Sequence, residues 1–247
     1  MEKFLYDEMY NLEASYWWFV GKRKIIQCLL GRHYGLNKKS RIIDLGCGTG
    51  ITLECLQNFG NTYGLDHSET ALNFSRARGH RRLVQADIYN LPFPANSFDL
   101  AIISDFLEHL DDDYKALAEV TRIMKQEGLL YISVPALNLL WGTQDLLAHH
   151  KRRYSISRLR QLMVRNKLEI VKITFTNFFI FPFVAVIRML KKLVPLYRST
   201  RSDFFRVPDF LNKLLIMIYD IEANLLKIVN LPIGVSIICV AKKSVSV

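Results

Sequence analysis

Asp44, Gly46, Gly48 and Gly50 fall within the stretch RIIDLGCGTG (41–50), where an apolar run ends in a carboxylate and three glycines then alternate with other residues. Glycine tolerates positive φ and lets bare backbone approach a ligand, so this loop is suited to hold something against main chain. A dinucleotide, a phosphate and a sulfonium nucleoside are the candidates, and they imply different chemistries. The dinucleotide fingerprint reads G-x-G-x-x-G or A, whereas here the third glycine comes one position early and branched Ile51 follows it. No G-K-[ST] follows either, which excludes a P-loop.

Two further carboxylates recur at the ends of apolar runs. Asp66 closes YGLD (63–66), where a carboxylate can accept both hydroxyls of a ribose, and Asp87 precedes Ile88 in VQADIYNLPF. A lone Asp at such a turn more often caps the next helix. An ordered set on one edge of one sheet instead builds a single crevice at the topological switch point.

Asp105 and His109, in SDFLEHL, follow the next apolar run on the same rim. An imidazole titrates near neutrality and could act as a base there; equally, LEHL reads as a packed helix start. The stretch LLWGTQDLLAHHKRRYS (139–155) concentrates Trp141, Asp145, His149, His150, Lys151, Arg152, Arg153 and Tyr154. A guanidinium fork suits phosphate or carboxylate, so the loop either contacts a substrate or is locked to the domain by His150, Arg153 and Tyr154. The acidic run 111–113 sits at a helix start, where it complements the positive dipole end, and the four cysteines include no C-x-x-C pair. No metal is expected.

These residues need a scaffold. Strand-length apolar runs near 41–47, 62–66, 82–87, 98–105 and 129–135 alternate with helical spacing at 49–59, 68–78 and 111–126. Such β-α alternation implies a parallel sheet covered on both faces. Two more strands, 168–175 and 235–243, follow a helix near 155–166. The residues between them are too many for a plain loop and read as two helices; Leu211, Leu214, Ile218, Ile221, Leu225 and Ile228 form one apolar stripe. Three parts result: a helical cap over 1–36 with the aromatic cluster YWWF (16–19), the α/β domain over 37–177 and 233–247, and a helical insertion over 178–232.

Lys and Arg outnumber Asp and Glu by 33 to 23, a net charge of +10, so phospholipid headgroups, phosphorylated substrates and nucleic acid are all attractive partners. The insertion carries eight basic and four acidic residues beside its apolar stripe, which suits either a membrane-interface helix or a lid over an acceptor. The run 178–187 is broken by Pro182 and ended by Arg188, too short to span a bilayer. The opening MEKFLYDEMY lacks the apolar core of a signal peptide, and the cysteines lie in apolar runs as buried thiols do in a reducing compartment. A cytoplasmic protein is expected, with peripheral contact at the inner membrane face as an option.

The ordered set, Asp44 with its glycine loop, then Asp66, then Asp87, resembles the motifs of class I S-adenosylmethionine-dependent methyltransferases. That resemblance implies a Rossmann-like seven-stranded sheet of order 3-2-1-4-5-7-6 with an antiparallel last strand. It implies a donor site of Asp44 (ammonium), Gly46, Cys47, Gly48, Gly50, Asp66 (ribose), His67, Asp87 (adenine amino group), Ile88 (ring packing) and Ser104. The candidates for catalysis are then Asp105, His109, His149 and His150, and for acceptor contact Trp18, Trp141, Asp145, Arg152, Arg153 and Tyr154. SYWWFVGKRKII, VPALNLLWGTQDLLAHHKRRYS and LPIGVSIICVAKK together look like a subgroup of the type 11, ubiquinone-methyltransferase-like superfamily, often associated with polysaccharide, lipid-linked sugar or specialised-metabolite pathways.

The expected partner is therefore an organic small-molecule or lipid-linked acceptor. The family's base N-methylating members carry Asn/Asp-Pro-Pro-aromatic where this chain has SDFLEH, and Cys239 does not match a C5-pyrimidine nucleophile. RNA methylation and a non-catalytic donor-binding or membrane-interaction module stand as alternatives. Oligomeric state and the atom methylated stay open.

Overall fold

The computed structural model describes residues 3–31, 35–193 and 207–244. Two helices, α1 (Lys3–Leu12) and α2 (Trp17–Leu30), precede the sheet. Then follow β1 (Arg41–Leu45), α3 (Ile51–Leu56), β2 (Asn61–Asp66), α4 (Glu69–Ala77), β3 (Leu83–Gln85), β4 (Phe98–Ser104), α5 (Asp113–Ile123) and β5 (Met124–Pro135). The chain continues through α6 (Thr143–Leu147), α7 (Ile156–Arg165), β6 (Leu168–Thr176), α8 (Phe181–Leu193), α9 (Asp209–Leu225) and β7 (Ser236–Lys243). The seven strands lie in the order β3-β2-β1-β4-β5-β7-β6, with β7 antiparallel to both neighbours. The sheet order anticipated from the sequence holds, and the order reverses between β1 and β4. At that point the loops after β1 and β4 diverge and leave a crevice.

Successive strand residues point to opposite faces, so Ile43, Leu45, Ala101, Ile103, Leu130 and Ile132 join α5 and α7 in one core. Ile42, Leu100, Ile102, Leu129 and Tyr131 face α2 and α9 in another. Both faces are apolar, as a covered parallel sheet requires. The helix expected over 111–126 is shorter: α5 stops at Ile123 because Met124 turns extended and pairs with Phe98 of β4. Asp112 caps α5, its side chain accepting Lys115 N–H at 2.9 Å.

The insertion contributes α8 and α9; its residues 194–206, including Arg198, Arg201, Asp203 and Arg206, lie outside the described residues. α9 does not bury the stripe read from spacing. Tyr219, Glu222, Ala223 and Leu226 face inward, while Leu214, Ile221 and Ile228 are exposed. Helix α9 is apolar nearly all round, so the choice falls to fit against α2, where Gly21 admits the Tyr219 ring. A Cβ at Gly21 would stand 2.2 Å from Tyr219 Cδ1. Gly21→Ala is therefore expected to destabilise the protein by about 1–3 kcal/mol through overpacking. A fall in the urea midpoint at unchanged slope checks this. Among the described residues no helix is long and apolar enough to cross a membrane.

Candidate active site

The loop after β1 places Gly46, Gly48 and Gly50 at φ of 76°, 55° and 87°, the left-handed region that favours glycine. Two of them are also packing positions: a Cβ at Gly46 would meet the Phe106 ring at 2.4 Å, and one at Gly50 the Ser75 hydroxyl at 2.7 Å. Gly48 differs, because a Cβ there would meet nothing within 4 Å. It faces open space. Asp66 ends β2 beside it, with Oδ2 accepting Gly48 N–H and Oδ1 accepting Ser68 N–H, both at 2.9 Å. The carboxylate thus shapes the loop while bordering the crevice.

Asp44 lies behind the loop, 2 % exposed. Burial, with the negative charge of Asp66 added, pushes its carboxyl up to about 7, and burial raises Asp66 too. Paired buried carboxylates form a region that a cationic ligand would relieve.

The N-terminal helices close over this loop through residues that no local pattern marks. Arg78 Nη2 donates to Glu13 Oε1 at 2.7 Å and to Tyr10 O at 3.1 Å, while its Nε donates to Thr49 O at 3.0 Å. Its guanidinium also stands 4.4 Å from the Tyr10 ring centre. Glu13, buried, accepts the Thr49 hydroxyl as well. A single arginine from the end of α4 therefore ties the turn after α1 to the glycine loop.

A cavity of about 690 Å³ runs from the glycine loop across the ends of β2 and β4 to the 139–155 loop. Its wall includes Gly46, Cys47, Gly48, Asp66, His67 and Ser104 from the expected donor set, and Trp18, Asp105, His109, Asp145, His150 and Arg153 from the others. α8 and the α1–α2 region wall its far side. Gly50 supports the loop from outside the wall. Asp87 is exposed and accepts Tyr89 N–H at 3.0 Å, and Ile88 is buried in the core. Trp141, His149, Arg152 and Tyr154 are not brought to the cavity wall.

The 139–155 loop is organised around Asp145, which is wholly buried. It accepts Arg153 Nε and Nη2 at 2.9 Å each, Arg188 Nη1 at 3.0 Å, His150 Nδ1 at 2.9 Å and Gly142 N–H at 2.8 Å. Despite burial, these donors hold its carboxyl well below the usual range. Tyr154 O–H donates to Asp113 at 3.0 Å and Arg152 pairs with the same carboxylate at 3.1 Å, so both anchor the loop to α5. Locking accounts for His150, Arg153 and Tyr154, with Asp145 at its centre; of these four only Tyr154 is off the cavity wall.

At the cavity's far end Asp105 pairs with Lys22, whose ammonium lies 4.9 Å from the Trp18 ring. The His109 and His150 rings meet edge to face at 4.8 Å, and burial, with His150 adding to it, pushes the His109 imidazole down to about 4. Glu108, which no local pattern in SDFLEHL marks as functional, is fully buried at this wall.

A doubly wound sheet with a glycine loop and an acidic strand end at its switch point defines a Rossmann-like fold that binds a nucleoside-containing ligand. Residues 43–132 match the family model described as "Methyltransferase domain". Over those residues the chain is similar to the methyltransferase domains of the type 11 family of class I enzymes, which use S-adenosylmethionine as cofactor. It is 32% identical over 125 residues to the demethylmenaquinone methyltransferase of Geobacillus kaustophilus, a match covering 47% of this chain and 53% of that one. The chain spans about half the length of the curated relatives it matches. Among solved structures it resembles a chain of the complex between the Haloferax volcanii Trm112 methyltransferase activator and a methyltransferase (TM-score 0.63, 16% identity, 99% of this chain and 95% of that one). It also resembles an S-adenosylmethionine-dependent methyltransferase from Thermotoga maritima (TM-score 0.62, 18% identity, 97% and 95%). Both likenesses concern the fold.

Proposed function

We propose that the protein transfers the methyl group of S-adenosylmethionine to an organic acceptor, a small molecule, a sugar or a lipid-linked compound, held in the far part of the cavity. The observation that carries this reading is the continuity of that cavity from the glycine loop to Asp105, His109 and His150. The bound donor supplies a methyl on a sulfonium already activated for displacement. The protein's part is to hold the acceptor in line with it, and positioning of this kind accounts for much of the barrier.

In this reading Asp44, behind the loop, attracts the donor's ammonium by its charge, Gly48 gives the backbone its close approach, and Asp66 takes the ribose hydroxyls. The acceptor's nucleophile meets Asp105, His109 and His150, with Trp17, Trp18, Val184 and Ile187 of the cavity wall supplying apolar contact. α8 and α9 serve as the lid. Incubation with methyl-labelled donor and an extract of the native organism, followed by separation of lipid, small aqueous, RNA and protein fractions, tests it. Label in the lipid or small aqueous fraction supports the proposal. Label in RNA would favour the alternative acceptor, and no label in any fraction would leave only a donor-binding module.

The raised Asp44 carboxyl makes donor binding proton-linked. A cationic ammonium favours its ionised form, so binding releases a proton, and affinity is expected to fall by up to about tenfold per pH unit as the pH drops through about 7. In the free protein the sign is the opposite. The stability contributed by the retained proton is full below the ordinary carboxylate range and is lost as the pH rises through about 7. Calorimetry in buffers of different ionisation enthalpy counts the proton released.

A further inference from the structure

Glu108 presents an unusual problem of charge. It is wholly buried at the cavity wall, and neither Oε1 nor Oε2 has a hydrogen-bond partner. A buried carboxylate left in that state is costly unless a cation or a donor joins it. The nearby acids are already served: Asp145 collects the guanidinium groups of Arg153 and Arg188, and Asp105 the ammonium of Lys22. The carboxyl left without a partner is that of Glu108.

Facing it are two imidazoles. His150 gives its Nδ1 to Asp145 at 2.9 Å, which leaves the Nε2 lone pair toward Glu108 Oε1 at 3.8 Å, too long for a hydrogen bond. The His109 ring stands against His150. Ligand atoms of Glu108, His109 and His150 all lie within 4.8 Å of one another. Two ligands each about 2.1 Å from a cation at a tetrahedral angle are separated by about 3.4 Å, so a small tightening brings the set to coordination distance. A histidine ligand typically donates its other ring N–H to a carboxylate, which fixes tautomer and orientation; the Asp145 contact to His150 is that arrangement.

We propose that Glu108, His109 and His150 form a binding site for a divalent first-row transition cation at the acceptor end of the cavity. Imidazole and carboxylate together suit zinc, iron or manganese rather than the all-oxygen sets of calcium. With three protein ligands the cation keeps a position open to the cavity, where it would polarise an oxygen or nitrogen of the acceptor and favour loss of its proton. This departs from the expectation of no metal, which rested on the cysteine spacing and on residues 111–113 complementing the positive dipole end of a helix. The cation's service to the acceptor rests on the methyl-transfer reading; its binding does not.

The test is a Co²⁺ titration of the chelator-treated full chain without donor or acceptor, read by visible d–d absorption and calorimetry. Stoichiometric binding is expected. Glu108→Gln and His109→Ala should each weaken it by more than about 100-fold, beyond the 10–100-fold typical of losing an outer partner. Thermal unfolding of the cation-free variants serves as the control: Glu108→Gln replaces a buried carboxyl that has no hydrogen-bond partner and should leave the midpoint unchanged or higher, unlike a purely structural glutamate. No d–d absorption in the wild-type protein overturns the proposal, as do bands that persist unaltered in both variants. Failure of the labelled-donor experiment with Co²⁺ binding intact would count against methyl transfer and leave the site standing.

Discussion

Asp66→Ala is expected to reduce S-adenosylmethionine affinity by at least about 100-fold, since each hydrogen bond to a charged acceptor contributes roughly 1.5–3 kcal/mol. The loss has two sources. The carboxylate holds Gly48 N–H and Ser68 N–H at 2.9 Å, so its removal releases the glycine nearest the cavity as well as the contact proposed for the ribose. Those backbone donors would then be left without their acceptor, and Gly48, at φ 55° with open space around its Cα, would keep only the Ser75 hydroxyl on its carbonyl at 2.9 Å. Asp66→Asn separates the two effects, because one amide oxygen can keep one of the backbone bonds while the charge is lost. Calorimetric titration of both variants, with circular dichroism to confirm folding, checks the expectation. Unchanged affinity in the alanine variant would remove the donor from this loop.

The largest effect on stability is expected at Asp145. Asp145→Ala leaves Arg153, 6 % exposed, and Arg188 without their shared carboxylate, and breaking a buried pair by deleting one partner costs about 3–5 kcal/mol. Arg153 also donates to Ala136 O, and Gly142 N–H and His150 Nδ1 converge on the same carboxylate, so the whole 139–155 loop loses its centre. Denaturant unfolding measures the loss, and hydrogen exchange should show it concentrated in that loop. The pH dependence has a definite sign. A carboxyl held below its ordinary range contributes stability that is present above that range and lost as pH falls through the depressed value. The wild-type protein should therefore resist mild acid better than Asp145→Ala.

The alternating sheet and the glycine loop were legible because their signals are local. Apolar runs, β-α alternation and the glycine spacing of 46–50 are properties of neighbouring residues, and the strand order came with the family resemblance those motifs carry. Asp66 was readable for the same reason, as an acid at a strand end. Asp87 shared that signal, yet it stands exposed and away from the cavity wall, because β3 is short and its following turn bonds the carboxylate to Tyr89 N–H.

Contacts between distant segments were a different matter. The Arg78 clamp on Glu13, the burial of Tyr219 against Gly21 instead of the Leu214–Ile221 side of α9, and the anchoring of Tyr154 to Asp113 join residues far apart in the chain. Arg153 and Tyr154 are neighbours in one basic loop, yet Arg153 faces the cavity and Tyr154 does not, because each follows its buried carboxylate partner. The sequence by itself determined the alternating strands and helices and the loop that offers bare backbone, since both follow from short-range periodicity and sterics, while the strand order came with the resemblance its motifs carry. Only the tertiary structure decided which charges neutralise one another and which, like Glu108, are left facing the cavity, because electrostatic compensation depends on distances that packing sets.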